Sequence, residues 1–144
     1  MAGKSERIFA DSNYFIALFN ERDALSEKAN LISEKLEEQD ILLCITNLIF
    51  LEIVTVTSVR ASKQIAWEAG KYLLSSPRIQ ILHADEDLQR ESWEIFQEIT
   101  DKNISFVDCS IIASMKTLGI SKLLTFDQTD FKKLQKQYRF SLYE

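Results

Sequence analysis

Short apolar runs alternate with amphipathic helical segments along nearly the whole chain, and this alternation limits the possible folds more than any other feature. Runs of four or five mostly apolar residues, typical of buried strands, lie at 7–10, 41–45, 79–82 and 122–126. Strands that alternate with helices form a mostly parallel sheet covered by helices on both faces. We therefore predict an α/β/α sandwich with four or five strands, the fifth lying in the tail at 138–143.

The helical segments follow from apolar spacing. Between Leu25 and Leu36 the apolar residues recur at steps of three and four, and further helical stripes are predicted at 65–74, 85–99 and 105–118. Phe96 and Leu74 are expected on the buried sides of their helices. The segment 48–59 has a spacing that suits either a strand or one side of a buried helix, and we predict a helix there.

Composition excludes several classes of protein. A chain of 144 residues, 46% of them apolar, has room for one domain, so residues 1–144 are predicted to form a single unit. Three glycines are too few for the glycine-rich loops that hold phosphates. One histidine and two cysteines cannot form a Cys/His zinc site. The first ten residues lack the apolar core of a signal peptide, and we expect a cytoplasmic protein without a membrane span.

Acidic residues stand where the predicted strands end. Asp11 and Asp127 follow the first and fourth strands, and Glu52 lies in the apolar segment after the second. Asp108 falls at the start of a late helix, and Asp130 follows Asp127 closely. Because sites in open parallel sheets form beyond the carboxyl ends of the strands, we expect these side chains to meet at one edge of the sheet.

Each acid also has a structural explanation. Asp11 could cap the next helix, and Asp108 completes a capping-box pattern with the serine three residues before it. Glu52 could form a salt bridge, and Asp127 and Asp130 could be turn residues. The order of the acids along the chain favours one shared site over separate explanations.

Four segments in this order resemble the PIN domain, particularly the small single-domain proteins that act as VapC-type toxins in toxin–antitoxin pairs. They are Ile8-Phe-Ala-Asp11-Ser-Asn, Leu51-Glu52-Ile, Ser105-Phe-Val-Asp108 and Thr125-Phe-Asp127. The resemblance extends from about Ile8 to Phe131. It implies an α/β/α sandwich and a Mg²⁺- or Mn²⁺-dependent endoribonuclease site. The acids of that site are implied at Asp11, Glu52, Asp108 and Asp127.

The chemistry of the acids agrees with this resemblance. Mg²⁺ and Mn²⁺ prefer oxygen ligands and keep several waters, so a set of carboxylates without His or Cys suits them. We assign metal binding to Asp11, Asp108 and Asp127, with Asp130 as a further candidate because these last two acids are spaced more widely than in many relatives. We assign Glu52 as ligand or base, and Ser12 and Thr125 as hydroxyls that orient the acids.

The expected partners follow from charge. Seventeen basic and 22 acidic residues leave a net charge of −5, which opposes nonspecific nucleic-acid binding. One segment contains basic residues and no acid: Lys132, Lys133, Lys136 and Arg139. It suits contact with the RNA backbone and a solvated helix face equally well. We expect single-stranded or loop RNA as the substrate, a cognate antitoxin and a homodimer as protein partners, and no membrane.

Two other functions remain open from the sequence. A phosphatase of the haloacid dehalogenase type needs Asp-x-Asp after its first strand, whereas this chain has Asp11-Ser12-Asn13. A catalytically inert PIN-like scaffold that only binds protein would keep the fold without the activity. Metal-dependent RNA cleavage by the purified chain distinguishes an enzyme from such a scaffold.

Overall fold

A five-stranded parallel sheet with helices on both faces forms the centre of the protein in the computed structural model, which describes residues 5–144. The strands are β1 (Arg7–Ala10), β2 (Leu42–Thr46), β3 (Ile79–Leu82), β4 (Lys122–Leu124) and β5 (Ser141–Leu142). The longer helices are α1 (Ser12–Phe19), α2 (Ser26–Glu38), α3 (Asn47–Arg60), α4 (Lys63–Ser75), α5 (Glu86–Glu98) and α6 (Phe106–Leu118). Two short helices follow, α7 (Gln128–Lys132) and α8 (Gln135–Tyr138). The predicted α/β/α sandwich is confirmed.

The strand order is β3-β2-β1-β4-β5, with β1 at the centre and every pair parallel. The chain moves from β1 through β2 to β3 on one side and then crosses to β4 on the other. This reversal creates a topological switch point between β1 and β4, and ligand sites in open parallel sheets form in the crevice at such a point. The amide of Asp11 donates to Leu124 O at 2.9 Å, which joins the ends of the two strands at that crevice.

The position of β1 at the centre of the sheet explains why its sequence is apolar without alternation. Ile8 and Phe9 point to opposite faces of the sheet, and both are fully buried. Helices on both faces leave no side of β1 in contact with water, so a continuous apolar run is needed there. Asp11 follows β1 directly and is the N-cap of α1.

The ambiguous segment 48–59 is helical, as predicted. Its buried residues are Ile49, Ile53 and Thr57, spaced four apart, which is the spacing of one helix face. The Thr46 hydroxyl accepts from Ile49 N at 3.1 Å and caps the helix. No helix among residues 5–144 is long and apolar enough to cross a membrane.

Three details of the predicted elements are wrong. The fourth strand ends at Leu124 rather than at residue 126, because Thr125 turns its hydroxyl toward Asp11. Leu74 is 69% exposed, since it lies one residue past the buried Leu73 and so points away from the core. Phe96 is 38% exposed and packs in a surface aromatic cluster, with its ring stacked on Trp93.

Candidate active site

A cavity of about 460 Å³ opens at the carboxyl ends of β1 and β4. Four acids selected from the sequence line it: Asp11, Glu52, Asp108 and Asp127. They belong to different parts of the chain, namely the end of β1, the middle of α3, the first turn of α6 and the residue before α7. The fold therefore brings together acids that are far apart in sequence, at the edge of the sheet where the topology places a ligand crevice.

Asp11 is the most buried of these acids, with 7% of its surface exposed. Its Oδ1 accepts from the backbone N–H of Ser12 at 2.8 Å, and its Oδ2 accepts from the Thr125 hydroxyl at 2.9 Å. The Ser12 hydroxyl lies 3.5 Å from Asp11 Oδ1, at the outer limit of a hydrogen bond. Thr125 thus has the geometry of an orienting hydroxyl, while Ser12 contacts Asp11 mainly through its backbone.

Burial raises the pKa of Asp11 to about 6. The hydrogen bonds from Thr125 and Ser12 lower it, and the nearby charges of Asp108 and Glu52 raise it further. The cavity therefore destabilises the charged form of Asp11 relative to water, although that form still predominates at neutral pH. A bound cation would remove much of that cost.

Asp108 combines both roles considered from the sequence. Its Oδ2 accepts from Ser105 N at 2.9 Å, and the Ser105 hydroxyl accepts from Asp108 N at 3.0 Å, so the predicted capping box is formed. The same residue also lines the acid cavity. Burial raises the pKa of Asp108, and Asp127 and Asp130 raise it further. The two roles are compatible because Oδ2 accepts the capping hydrogen bond and leaves Oδ1 for a ligand.

Glu52 is half-buried on α3. Within residues 5–144 it forms no salt bridge, so the structure does not support the alternative in which a Lys or Arg pairs with it. Its position on the cavity wall leaves the carboxylate available to a ligand.

The structure distinguishes Asp127 from Asp130. Asp127 lines the cavity, and its N–H donates to Thr125 Oγ1 at 3.0 Å. Asp130 lies in α7 and is not among the residues that line the cavity; its Oδ1 is 3.2 Å from Lys133 Nζ. Burial raises the pKa of Asp127, with a further contribution from Asp130. Of the two acids, Asp127 is placed to face a ligand in the cavity.

Sequence reasoning missed three polar residues that line this site: Asn13, Asp23 and Arg60. Asn13 Oδ1 accepts from Phe126 N at 3.0 Å, and its Nδ2 lies 3.3 Å from Thr125 Oγ1, so Asn13 links α1 to the loop after β4. Arg60 is the basic residue among those lining the cavity. Its spacing of eight residues from Glu52, two turns along the same helix face, is the signal that could have identified it.

The residues of the cavity fit a divalent cation by donor type. They offer carboxylate oxygens and no His or Cys, which is the set that Mg²⁺ and Mn²⁺ favour. Within residues 5–144 no three acidic, His or Cys side chains are close enough together to hold an ion directly. Mg²⁺ keeps several waters and is commonly held by one or two carboxylates, so the separation of the acids is compatible with it.

The basic segment is not one continuous surface facing the cavity. All four of its cationic residues are exposed, but Lys133 already lies 2.9 Å from Asp101 and 3.2 Å from Asp130. Arg139 lines a different cavity with Gly119 and Ser121, which precede β4. Because Asp127 follows β4, Arg139 stands at the opposite edge of the sheet from the acids.

Comparison with known proteins agrees with this architecture. The family model described as "PIN domain" matches residues 8–137. The "23S rRNA-specific endonuclease VapC20" of Mycobacterium tuberculosis is 27% identical over 120 residues, which cover 83% of this chain and 88% of that protein.

Solved structures show the same fold. The crystal structure of M. tuberculosis VapC20, described as a sarcin-ricin loop cleaving toxin, superimposes with a TM-score of 0.75 at 26% identity and covers 88% of this chain and 93% of that one. VapBC2 from Rickettsia felis, solved with a DNA fragment from its promoter, gives a TM-score of 0.70 at 16% identity over 96% of this chain and 99% of that one.

Proposed function

The chain belongs to the PIN domain family, and on that premise we propose that it is a Mg²⁺- or Mn²⁺-dependent endoribonuclease and the toxin of a toxin–antitoxin pair. The observation that carries this proposal is the convergence of four carboxylates in one cavity at the switch point between β1 and β4. The similarity to VapC20, an RNA-cleaving endonuclease, supports it.

Each acid has a role in this proposal. Asp11, Asp108 and Asp127 hold the cation directly or through water, and Glu52 serves as a further ligand or as the base that accepts a proton from the attacking water. The Thr125 hydroxyl orients Asp11 by donating to its carboxylate. The same hydroxyl oxygen accepts from the backbone N–H of Asp127 and so positions that acid as well. Asp130 supports Asp127 from behind, held by Lys133.

A divalent cation, when bound, lowers the pKa of a water and neutralises charge that develops on the phosphodiester. The chain itself supplies the geometry. Its carboxylates would hold the cation beyond the end of β1, and the hydrogen bonds accepted by both oxygens of Asp11 orient that acid. In-line attack by water leaves a 3′-hydroxyl and a 5′-phosphate.

We propose single-stranded or loop RNA as the substrate, because a phosphodiester must be exposed to reach acids inside a cavity. The relative VapC20 is described as cleaving the sarcin-ricin loop, which is consistent with a loop substrate here. A cognate antitoxin is the proposed protein partner, on the ground that similar folds occur in the VapBC2 assembly.

The decisive experiment is an RNA cleavage assay with purified protein, comparing a stem–loop RNA with a fully paired duplex. We expect cleavage in the loop with Mg²⁺ or Mn²⁺, no cleavage with EDTA, and products with 5′-phosphate ends. The matched control is Asp40→Asn, which removes an exposed acid paired with Arg78 on another part of the surface. Loss of activity in Asp11→Asn, together with normal activity in Asp40→Asn, assigns the cleavage to the cavity.

The inert scaffold is the second candidate. The observation that favours it is that, within residues 5–144, no three of the acids lie close enough together to hold an ion directly. A scaffold would bind its partner protein but would neither cut RNA nor gain stability from Mn²⁺. Cleavage that disappears in Asp11→Asn rules it out.

A further inference from the structure

We propose that Arg60 binds an RNA phosphate that flanks the scissile one, and thereby sets the position of the strand over the acid cavity. This inference rests on the proposed ribonuclease function and adds to it a substrate-binding residue at the same site.

The position of Arg60 on α3 is the first argument. Glu52, Val56 and Arg60 follow each other at four-residue steps, so they lie on one helix face, and all three line the acid cavity. Eight residues at a rise of 1.5 Å place Arg60 about 12 Å from Glu52 along the helix axis. The wall that α3 contributes therefore has a carboxylate near one end and a guanidinium near the other.

The second argument is that Arg60 is not used by the fold. Three other arginines are used by the fold: Arg78 pairs with Asp40, Arg90 pairs with Asp87, and Arg7 donates to Leu118 O. Arg60 is exposed, and in the part of the chain from residue 5 onward it forms no salt bridge and donates no side-chain hydrogen bond. Even the carboxylates of its own cavity lie beyond ion-pair distance, so its five N–H donors are available to a ligand.

Charge identifies that ligand as a phosphate. An RNA strand that brings one phosphate to the acids carries further phosphates past the rest of the cavity wall. The protein has a net charge of −5, so this approach is repulsive unless a cation stands nearby. A guanidinium matches a phosphate with two parallel hydrogen bonds, which a lysine cannot reproduce.

Arg60 is also better placed than the basic segment of residues 132–139. Lys133 in that segment is engaged by two carboxylates, and Arg139 lies at the other edge of the sheet. Arg60 shares its cavity with the acids themselves. It is thus the basic residue whose contact with RNA most directly determines which phosphodiester reaches them.

The test compares Arg60→Gln and Arg60→Lys with the control Arg90→Gln, which removes the same charge from an exposed site on α5 that lines none of the cavities described above. Binding of a fluorescent single-stranded RNA is measured at several salt concentrations in an Asp11→Asn background, where the RNA stays intact. We expect about tenfold weaker binding for Arg60→Gln at low salt, from the loss of one charge-assisted contact. The slope of log K against log salt should fall by about 0.7, the value for one phosphate contact to a single strand.

Arg60→Lys should keep the salt slope and lose part of the affinity, since it retains the charge without the paired geometry. With Asp11 restored, Arg60→Gln should raise KM about tenfold and leave kcat nearly unchanged, because a flanking contact is equal in the ground and transition states. Arg90→Gln should match the parent in every measurement.

The contacted phosphate can be located with RNAs that carry one uncharged methylphosphonate at a time. At one position beside the cleavage site, the methylphosphonate should weaken binding of the RNA to the parent protein. The same substitution should not weaken binding to Arg60→Gln any further. If Arg60 only offsets the helix dipole, Arg60→Gln will melt at a lower temperature yet bind RNA with the parent's affinity and slope, which overturns this proposal. A parent that neither binds nor cuts RNA overturns the proposed function as well.

Discussion

The hydroxyl of Thr125 donates to Asp11 Oδ2 at 2.9 Å while its oxygen accepts from the N–H of Asp127 at 3.0 Å. One side chain therefore connects the acid that follows β1 with the acid before α7. Burial raises the pKa of Asp11 to about 6, and this hydrogen bond opposes that rise. The charge on Asp11 near neutral pH thus depends on a residue more than a hundred positions away.

Thr125→Val keeps the side-chain volume and removes the hydroxyl. Without that donor the pKa of Asp11 rises further, so the acidic side of the pH–rate profile should move to higher pH. RNA cleavage rates measured across the acidic range test this. Thr125→Ser, which retains the hydroxyl, should keep the parent profile; an unchanged profile in Thr125→Val would contradict the prediction.

Asp11→Asn should abolish cleavage and stabilise the fold. The folded-state pKa of about 6 lies above the ordinary value of 3.8, so the contribution of Asp11 to stability is present below pH 3.8 and is lost as pH rises through 6. Removing the charge should raise the free energy of unfolding at neutral pH by about 1–3 kcal/mol. Urea unfolding at neutral pH and near pH 4 measures this, and the gain should shrink at the lower pH.

Two substitutions separate the roles of Asp108. Asn at this position can still accept from Ser105 N but lacks the charge, so Asp108→Asn should lose cleavage and keep the stability of the parent. Asp108→Ala loses the cap as well, and it should also lower the free energy of unfolding by about 0.5–2 kcal/mol. Cleavage assays and urea unfolding of both variants test this. Cleavage at the parental rate by Asp108→Asn would leave Asp108 with its capping role alone.

Divalent cations should stabilise the protein against heat. Several carboxylates share one cavity, so Mg²⁺ or Mn²⁺ binds the folded state and adds about 2.7 kcal/mol at a hundredfold excess over its Kd. Differential scanning calorimetry with and without Mn²⁺ should show a higher Tm. Asp11→Asn and Asp127→Asn should reduce the shift, whereas Asp40→Asn should keep it. The absence of any shift in the parent would favour the inert scaffold.

The basic segment has its own prediction. Replacing Lys132, Lys133 and Lys136 together by Ala should raise KM for RNA more than it lowers kcat, because backbone contacts bind ground and transition states equally. Lys133 also holds Asp130 behind Asp127, so a small fall in kcat is expected. Steady-state kinetics on a loop RNA give both constants.

The control for that experiment removes three exposed lysines elsewhere on the surface: Lys35, Lys71 and Lys116. It changes the net charge equally, so it separates local contact from general electrostatics. If both triple variants bind RNA alike and with the same salt slope, residues 132–139 form only a solvated helix face.

Much of this architecture can be predicted from local sequence. The unbroken apolar run Ile8-Phe-Ala predicts a strand buried on both faces, whereas the spacing of Ile49, Ile53 and Thr57 suits the observed helix without excluding a strand. The edge of the sheet at which an acid lies is also predictable when the acid directly follows a strand, because the carboxyl ends of parallel strands lie at the same edge. These properties place Asp11 and Asp127 at the same edge of the sheet, and the pairing of β1 with β4 then brings them into one cavity.

The remaining features depend on how the elements pack. The sequence by itself determined the longer helices, the approximate positions of the strands and the acids that would share an edge, since each depends on the pattern of one short segment. Only the tertiary structure decided that Thr125 reaches Asp11, that Asp127 rather than Asp130 lines the cavity, and that Arg60 shares it. Those relationships depend on the parallel pairing of β1 with β4 and on the rotation of α3 about its axis. Residues remote in sequence determine both together through packing of the core.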